Sequence, residues 1–146
     1  GLRFFLNQGF NQVEYGGYGP TESYLDKHHA TALGRYKTTP ESNHVPYLKP
    51  QENGSHYGCR ELKVANSSDC FTVQSDMSFS MNISPYSQEE LGSKKHQYDL
   101  EKSGSTILCV DYKMSGVGSN SCGPALKAQY RLSETEWDWS ILLQIN

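Results

Sequence analysis

The sequence predicts an all-β fold, an antiparallel β-sandwich with one short helix. Three observations carry this expectation. Met77, Phe79, Met81 and Ile83 alternate with Ser78, Ser80 and Asn82, which is the period of a half-buried strand. Residues 105–114 set Ile107, Cys109 and Asp111 on one face and Leu108, Val110 and Tyr112 on the other; a strand covered on both faces implies a sandwich. Clusters of Gly, Pro and Asn separate the apolar runs, and one stretch alone carries a helix start.

In chain order, residues 2–6 read as a strand closed by the turn Asn7-Gln8-Gly9. Residues 12–18 follow as a second strand, with Val13 and Tyr15 alternating against polar neighbours. A bend spans residues 16–26, where Gly19-Pro20 forces a turn. His28 and His29 then open residues 30–36, which fit either a strand or one to two helical turns. On either element neighbouring histidines face different directions, which argues against a shared metal. Residues 37–47 read as irregular between Pro40 and Pro46. Lys49-Pro50-Gln51-Glu52-Asn53-Gly54 is a turn, and Glu52 there reads as a structural hydrogen-bonding group rather than a catalytic acid. Residues 56–65 form a long strand, residues 71–73 and 77–83 strand segments whose Met and Phe are core. Ser87 with Glu90 three residues on marks the helix, stopped by Gly92. Residues 95–100 read as a strand or extended arm, turned by residues 101–104. After the strand 105–114, residues 116–124 form a loop with a demanding backbone path, since glycine admits positive φ and proline fixes its own. Residues 125–132 and 136–145 read as a hairpin-like pair through Ser133-Glu134-Thr135, with Trp137 and Trp139 on one face.

One domain over residues 1–146 suits this length. The apolar share of 36% is lean for a globular chain, and ten tyrosines supply much of the packing surface. A net charge of −3 with interspersed signs excludes a nucleic-acid surface, Lys94-Lys95 being the densest basic spot. No run approaches the roughly 18 apolar residues that span a bilayer, and residues 1–6 lack the length of a signal peptide. The four cysteines, at 59, 70, 109 and 122, include no CxxC pair, so free thiols in a reducing cytoplasm are expected, with Cys109 a small core residue. No Walker, Rossmann or zincin pattern is present. Cys122 has no histidine near it in sequence and no strand-to-helix elbow, so it does not read as a nucleophile.

Four stretches, in their order and spacing, carry a resemblance: Tyr18-Gly19-Pro20-Thr21-Glu22-Ser23-Tyr24-Leu25-Asp26, Pro50-Gln51-Glu52-Asn53-Gly54, Asn82-Ile83-Ser84-Pro85-Tyr86-Ser87 and Gly116-Val117-Gly118-Ser119-Asn120-Ser121-Cys122-Gly123-Pro124. Together they resemble the C-terminal β-sandwich, the small-chain or fifth domain, of lac-operon-type β-galactosidases of glycoside hydrolase family 2. The resemblance implies the C-terminal portion of a galactose-mutarotase-like supersandwich. It implies that the two catalytic glutamates lie in a TIM-barrel domain that no stretch here resembles, so this chain alone is not expected to hydrolyse lactose. It further implies that the loop at residues 116–124 meets the aglycone side of a β-galactoside, with Asn120, Ser121 and Cys122 as substrate-binding residues. Cys122 aligns with a tryptophan of the best-known members, and Lys27 stands where the family has arginine, which argues against a bidentate ion pair there. No cofactor is expected in this chain, whereas magnesium and sodium are expected in the catalytic domain. The implied partners are the remaining domains or a large subunit, in an oligomeric enzyme without nucleic-acid or membrane contacts. Tyr24, Asp26, Glu52 and Asn53 read as scaffold. A free-standing carbohydrate-binding or interaction module with the same sandwich is the alternative; a mutarotase-like enzyme lacks an arranged histidine pair and carboxylate.

Overall fold

The computed structural model describes residues 1–118 and 124–146. Their strands are β1 (Leu2–Asn7), β2 (Gln12–Gly19), β3 (Ala32–Thr38), β4 (Ser55–Ala65), β5 (Cys70–Ser84), β6 (Ser105–Asp111) and β7 (Leu142–Ile145). All pairings among them are antiparallel, in the order β1-β6-β5-β4-β2-β3, with β7 also on β5.

β5 organises the sheet. Its residues 71–74 pair with β7 and its residues 80–84 with β6, while β4 runs along its other edge. Phe71, Val73, Phe79, Met81 and Ile83 are buried, as the alternation predicts, whereas Met77, expected in the core, is 46% exposed, and the two expected segments are one continuous strand of 15 residues. Register shifts in β4 between His56 and Cys59 and between Cys59 and Glu61 add local twist. The sheet bends over a core of Val13, Tyr15, Leu62, Val64 and Leu108 with the β5 residues, and Phe4 of β1 reaches Phe71 with ring centroids 5.1 Å apart. This is the antiparallel all-β sandwich class that the sequence predicts.

Two short helices join the strands. α2 (Gln88–Ser93) starts where expected: Ser87 Oγ accepts the Glu90 N–H at 3.0 Å. Glu90 does not complete a capping box; its carboxylate accepts the Glu101 N–H at 2.8 Å. α1 (Pro40–Asn43), within the stretch read as irregular, is capped by Thr39, whose Oγ1 accepts the Ser42 N–H at 3.0 Å. Neither helix, nor any other described here, is long and apolar enough to cross a membrane.

The stretch at 30–36, open between a strand and helical turns, is a strand from residue 32, β3. Two expectations are corrected. Residues 95–100 hold a 3₁₀ turn, Gln97–Asp99, because Asp99 reaches back to the His96 N–H at 3.2 Å and curls the chain. The hairpin of 125–132 with 136–145 is not formed. Ala128–Tyr130 is a 3₁₀ turn, with Arg131 Nε bonded to the Leu126 carbonyl at 2.7 Å, and the last strand finds its ladder on the free edge of β5, Phe71 opposite Ile145. Trp137 and Trp139 nevertheless both lie against Tyr112, at 6.4 and 5.9 Å. Cys59, Cys70 and Cys109 are free thiols.

Candidate functional site

Three of the segments that carry the resemblance, residues 18–26, 50–54 and 82–87, meet at the β2–β4 end of the sheet near the Glu22 carboxylate, and the described start of the fourth is bonded to Asp26. The Glu22 side chain is 7% exposed and accepts hydrogen bonds from Lys27 Nζ, from the Tyr47 hydroxyl and, at 2.8 Å, from the Gly54 N–H. Burial pushes its pKa up, yet these donors outweigh burial and hold the carboxyl below its ordinary value. Gly54 sits at φ 71°, and a Cβ there would come within 2.5 Å of the Asn43 carbonyl oxygen, so the Asn-Gly turn needs its glycine twice over.

Around this node the polar groups are spent on one another. Asn43 donates through Nδ2 to the carbonyls of Gly54 and Ile83, at 2.7 and 3.0 Å, which turns its Oδ1 to His56 Nε2 at 2.7 Å. The other His56 nitrogen lies 3.1 Å from the Tyr18 carbonyl, but burial dominates and depresses its pKa to about 4. Ser23 Oγ donates to that same Tyr18 carbonyl and accepts the Tyr57 N–H. Asn53 Oδ1 accepts the Val45 N–H, and Asn82 donates to Glu52 and to the Asn53 carbonyl. Glu52 is a structural acceptor, as read from sequence, with its carboxyl pushed up chiefly by burial. Asn43 and His56 escaped the sequence reading: neither belongs to a recognisable motif, and their partners lie up to 40 positions away.

The loop at residues 116–124 begins at this node. Tyr24 and Lys27 exchange backbone hydrogen bonds of 2.9 and 3.0 Å, leaving Leu25 and Asp26 at the tip of a tight turn. Asp26 Oδ1 accepts the Val117 N–H and Oδ2 the Gly118 N–H, each at 3.0 Å. The Gly116 N–H donates to the Tyr130 carbonyl at 2.9 Å and the Leu132 N–H to Ser115 Oγ at 3.0 Å. Residues 119–123, and with them the predicted Asn120, Ser121 and Cys122, lie outside the described residues. Lys27 makes its ion pair with Glu22 rather than with its neighbour Asp26.

A groove of about 650 Å³ beside Asp26 is lined by Glu22, Lys27, His28, His29 and Asn43. His28 and His29 do not diverge as expected; they occupy a turn rather than a helix or strand, and their rings stack with centroids 4.8 Å apart. Among the described residues no group of three or more His, Cys, Asp or Glu side chains is placed to hold a metal ion. Burial pushes the Cys59 thiol up to about 12 and the Cys109 thiol up to about 11, which keeps both protonated and unreactive. The arrangement fixes backbone and presents a loop.

A family profile described as Beta galactosidase small chain matches residues 1–143. A β-galactosidase of Actinobacillus pleuropneumoniae is 59% identical over 137 residues, which is 94% of this chain and 13% of that protein. The β-galactosidase of Staphylococcus xylosus is 39% identical over 99% of this chain and 14% of its own length, and that of Streptococcus thermophilus 35% identical over 93% and 14%. The chain therefore spans about one seventh of the length of these relatives.

Proposed function

The chain belongs to the β-galactosidase small-chain family, and from that premise we propose that it is the C-terminal sandwich portion of a glycoside hydrolase family 2 enzyme of the lac type. Its role is to shape the aglycone edge of an active site whose catalytic glutamates, with the magnesium and sodium of the enzyme, belong to another domain. The observation that carries this reading is the pairing of 59% identity across nearly the whole chain with a share of only 13% of the relative. The anchored base of the loop supports it: Asp26 and Tyr130 bond residues 116–118, and loops held on such a scaffold are where binding residues concentrate.

Asn120, Ser121 and Cys122 are the proposed substrate contacts. A thiol at position 122 buries far less sugar surface than an indole would, at roughly 25 cal/mol per Å², so the aglycone subsite is weak and transfer to glucose is low. In the full-length enzyme, Cys122→Trp is expected to strengthen glucose inhibition and raise the ratio of transfer to hydrolysis. No change in either quantity would sink the reading, as would lactose hydrolysis by residues 1–146 alone.

A further inference from the structure

We propose that Asp26 is the positioning residue that sets the aglycone loop, and through it the enzyme's discrimination between leaving groups; this rests on the reading of the loop as the aglycone edge. Asp26 sits at the tip of a turn whose two flanking residues are bonded to each other in both directions. That turn is itself tied down: Tyr24 is buried, His28 Nδ1 lies 3.0 Å from the Tyr24 carbonyl, and Lys27 is drawn to Glu22 and Tyr47. The Asp26 carboxylate makes no ion pair among the described residues, and its two oxygens are divided between two consecutive N–H groups from 91 and 92 positions away.

The approach is close. A Cβ on Gly116, which is buried, would come within 2.5 Å of the Asp26 carboxylate, so a side chain there would push the carboxylate off its present position. One acidic side chain thus receives the loop at the point where it leaves the frame, using charge-assisted hydrogen bonds, which are about twice as strong as neutral ones. Asn120, Ser121 and Cys122 follow closely after Gly118 in the sequence, and small misplacements of a positioned contact are costly.

The test compares Asp26→Ala and Asp26→Asn with the native residue in the full-length enzyme. The measured quantity is the ratio of kcat/KM for lactose to kcat/KM for β-galactosyl fluoride, whose one-atom leaving group does not reach an aglycone loop. Asp26→Ala is expected to lower the ratio about tenfold, chiefly through KM for lactose, from the loss of two charge-assisted hydrogen bonds. Asp26→Asn, which keeps one acceptor, falls between. A parallel loss on both substrates, which a purely structural role would produce, overturns the proposal. A third variant, with Ser119, Asn120, Ser121 and Cys122 all replaced by glycine, separates the two readings. If it shifts the ratio and Asp26→Ala does not, the clamp is wrong and the loop assignment stands; if neither shifts it, both fall.

Discussion

The polar node around Glu22 and the apolar strip at residues 132–145 are opposites. In the node, Glu22, Asn43, Ser23 and His56 are shielded from solvent and bonded to groups of the same chain. Along the strip, Trp137, Leu142 and Ile145 are more than half exposed, and β7 touches the sheet through four residues of one edge. The contrast teaches that the node pairs most of its buried polar groups within the chain, the Tyr24 hydroxyl and His44 Nδ1 standing without a partner among the described residues, whereas the strip leaves its hydrophobic surface uncovered. The first reflects the cost of leaving a buried polar group unpaired; the second leaves a face for the other domains proposed above.

The sharpest way to break this comparison is Asn43→Ala. It strips partners from two carbonyls and an imidazole at once, and the expected loss is about 4 kcal/mol in urea unfolding. A loss below ~1 kcal/mol would mean that water or relaxation replaces the network. The next effect is set by pH. Burial holds the His56 imidazole at about 4 when folded, against an ordinary value of 6.5 when unfolded, so the unfolded chain binds the proton first as pH falls. Stability is then lost between about pH 6.5 and 4, by about 3 kcal/mol at the low end. Comparison with His56→Gln isolates this contribution; an unchanged pH slope in that variant contradicts it. The smallest effect belongs to the strip. Ile145 is 73% exposed, so Ile145→Ser is expected to change the stability of the chain expressed alone by under ~0.5 kcal/mol. A larger loss in the full-length enzyme would show that a neighbouring domain covers this face.

What the sequence made legible follows the same divide between local and distant causes. The alternation of Phe79, Met81 and Ile83 placed β5 on the core because period and burial are local properties. Ser87 announced α2 for the same reason. Thr39-Pro40 carried an equally local signal for α1, an N-cap followed by proline, which the surrounding irregular composition obscured. The last strand was misassigned because residues 125–132 and 136–145 have strand composition and adjacency, whereas the available ladder lay on β5, some 70 positions earlier. Asp26 was legible as scaffold but not as the anchor of the loop, since nothing in either segment names the other.

The separation of 91 positions between Asp26 and Val117 also bears on how the chain folds. Closing so long a loop carries an entropic cost, and contacts this remote slow β-rich folding. The β1–β6 ladder, with Leu2 opposite Val110 and Asn7 opposite Ser105, spans more chain still. The base of the loop and the first edge of the sheet are therefore the two features that raise the contact order most, and both are closed by residues from opposite ends of the sequence.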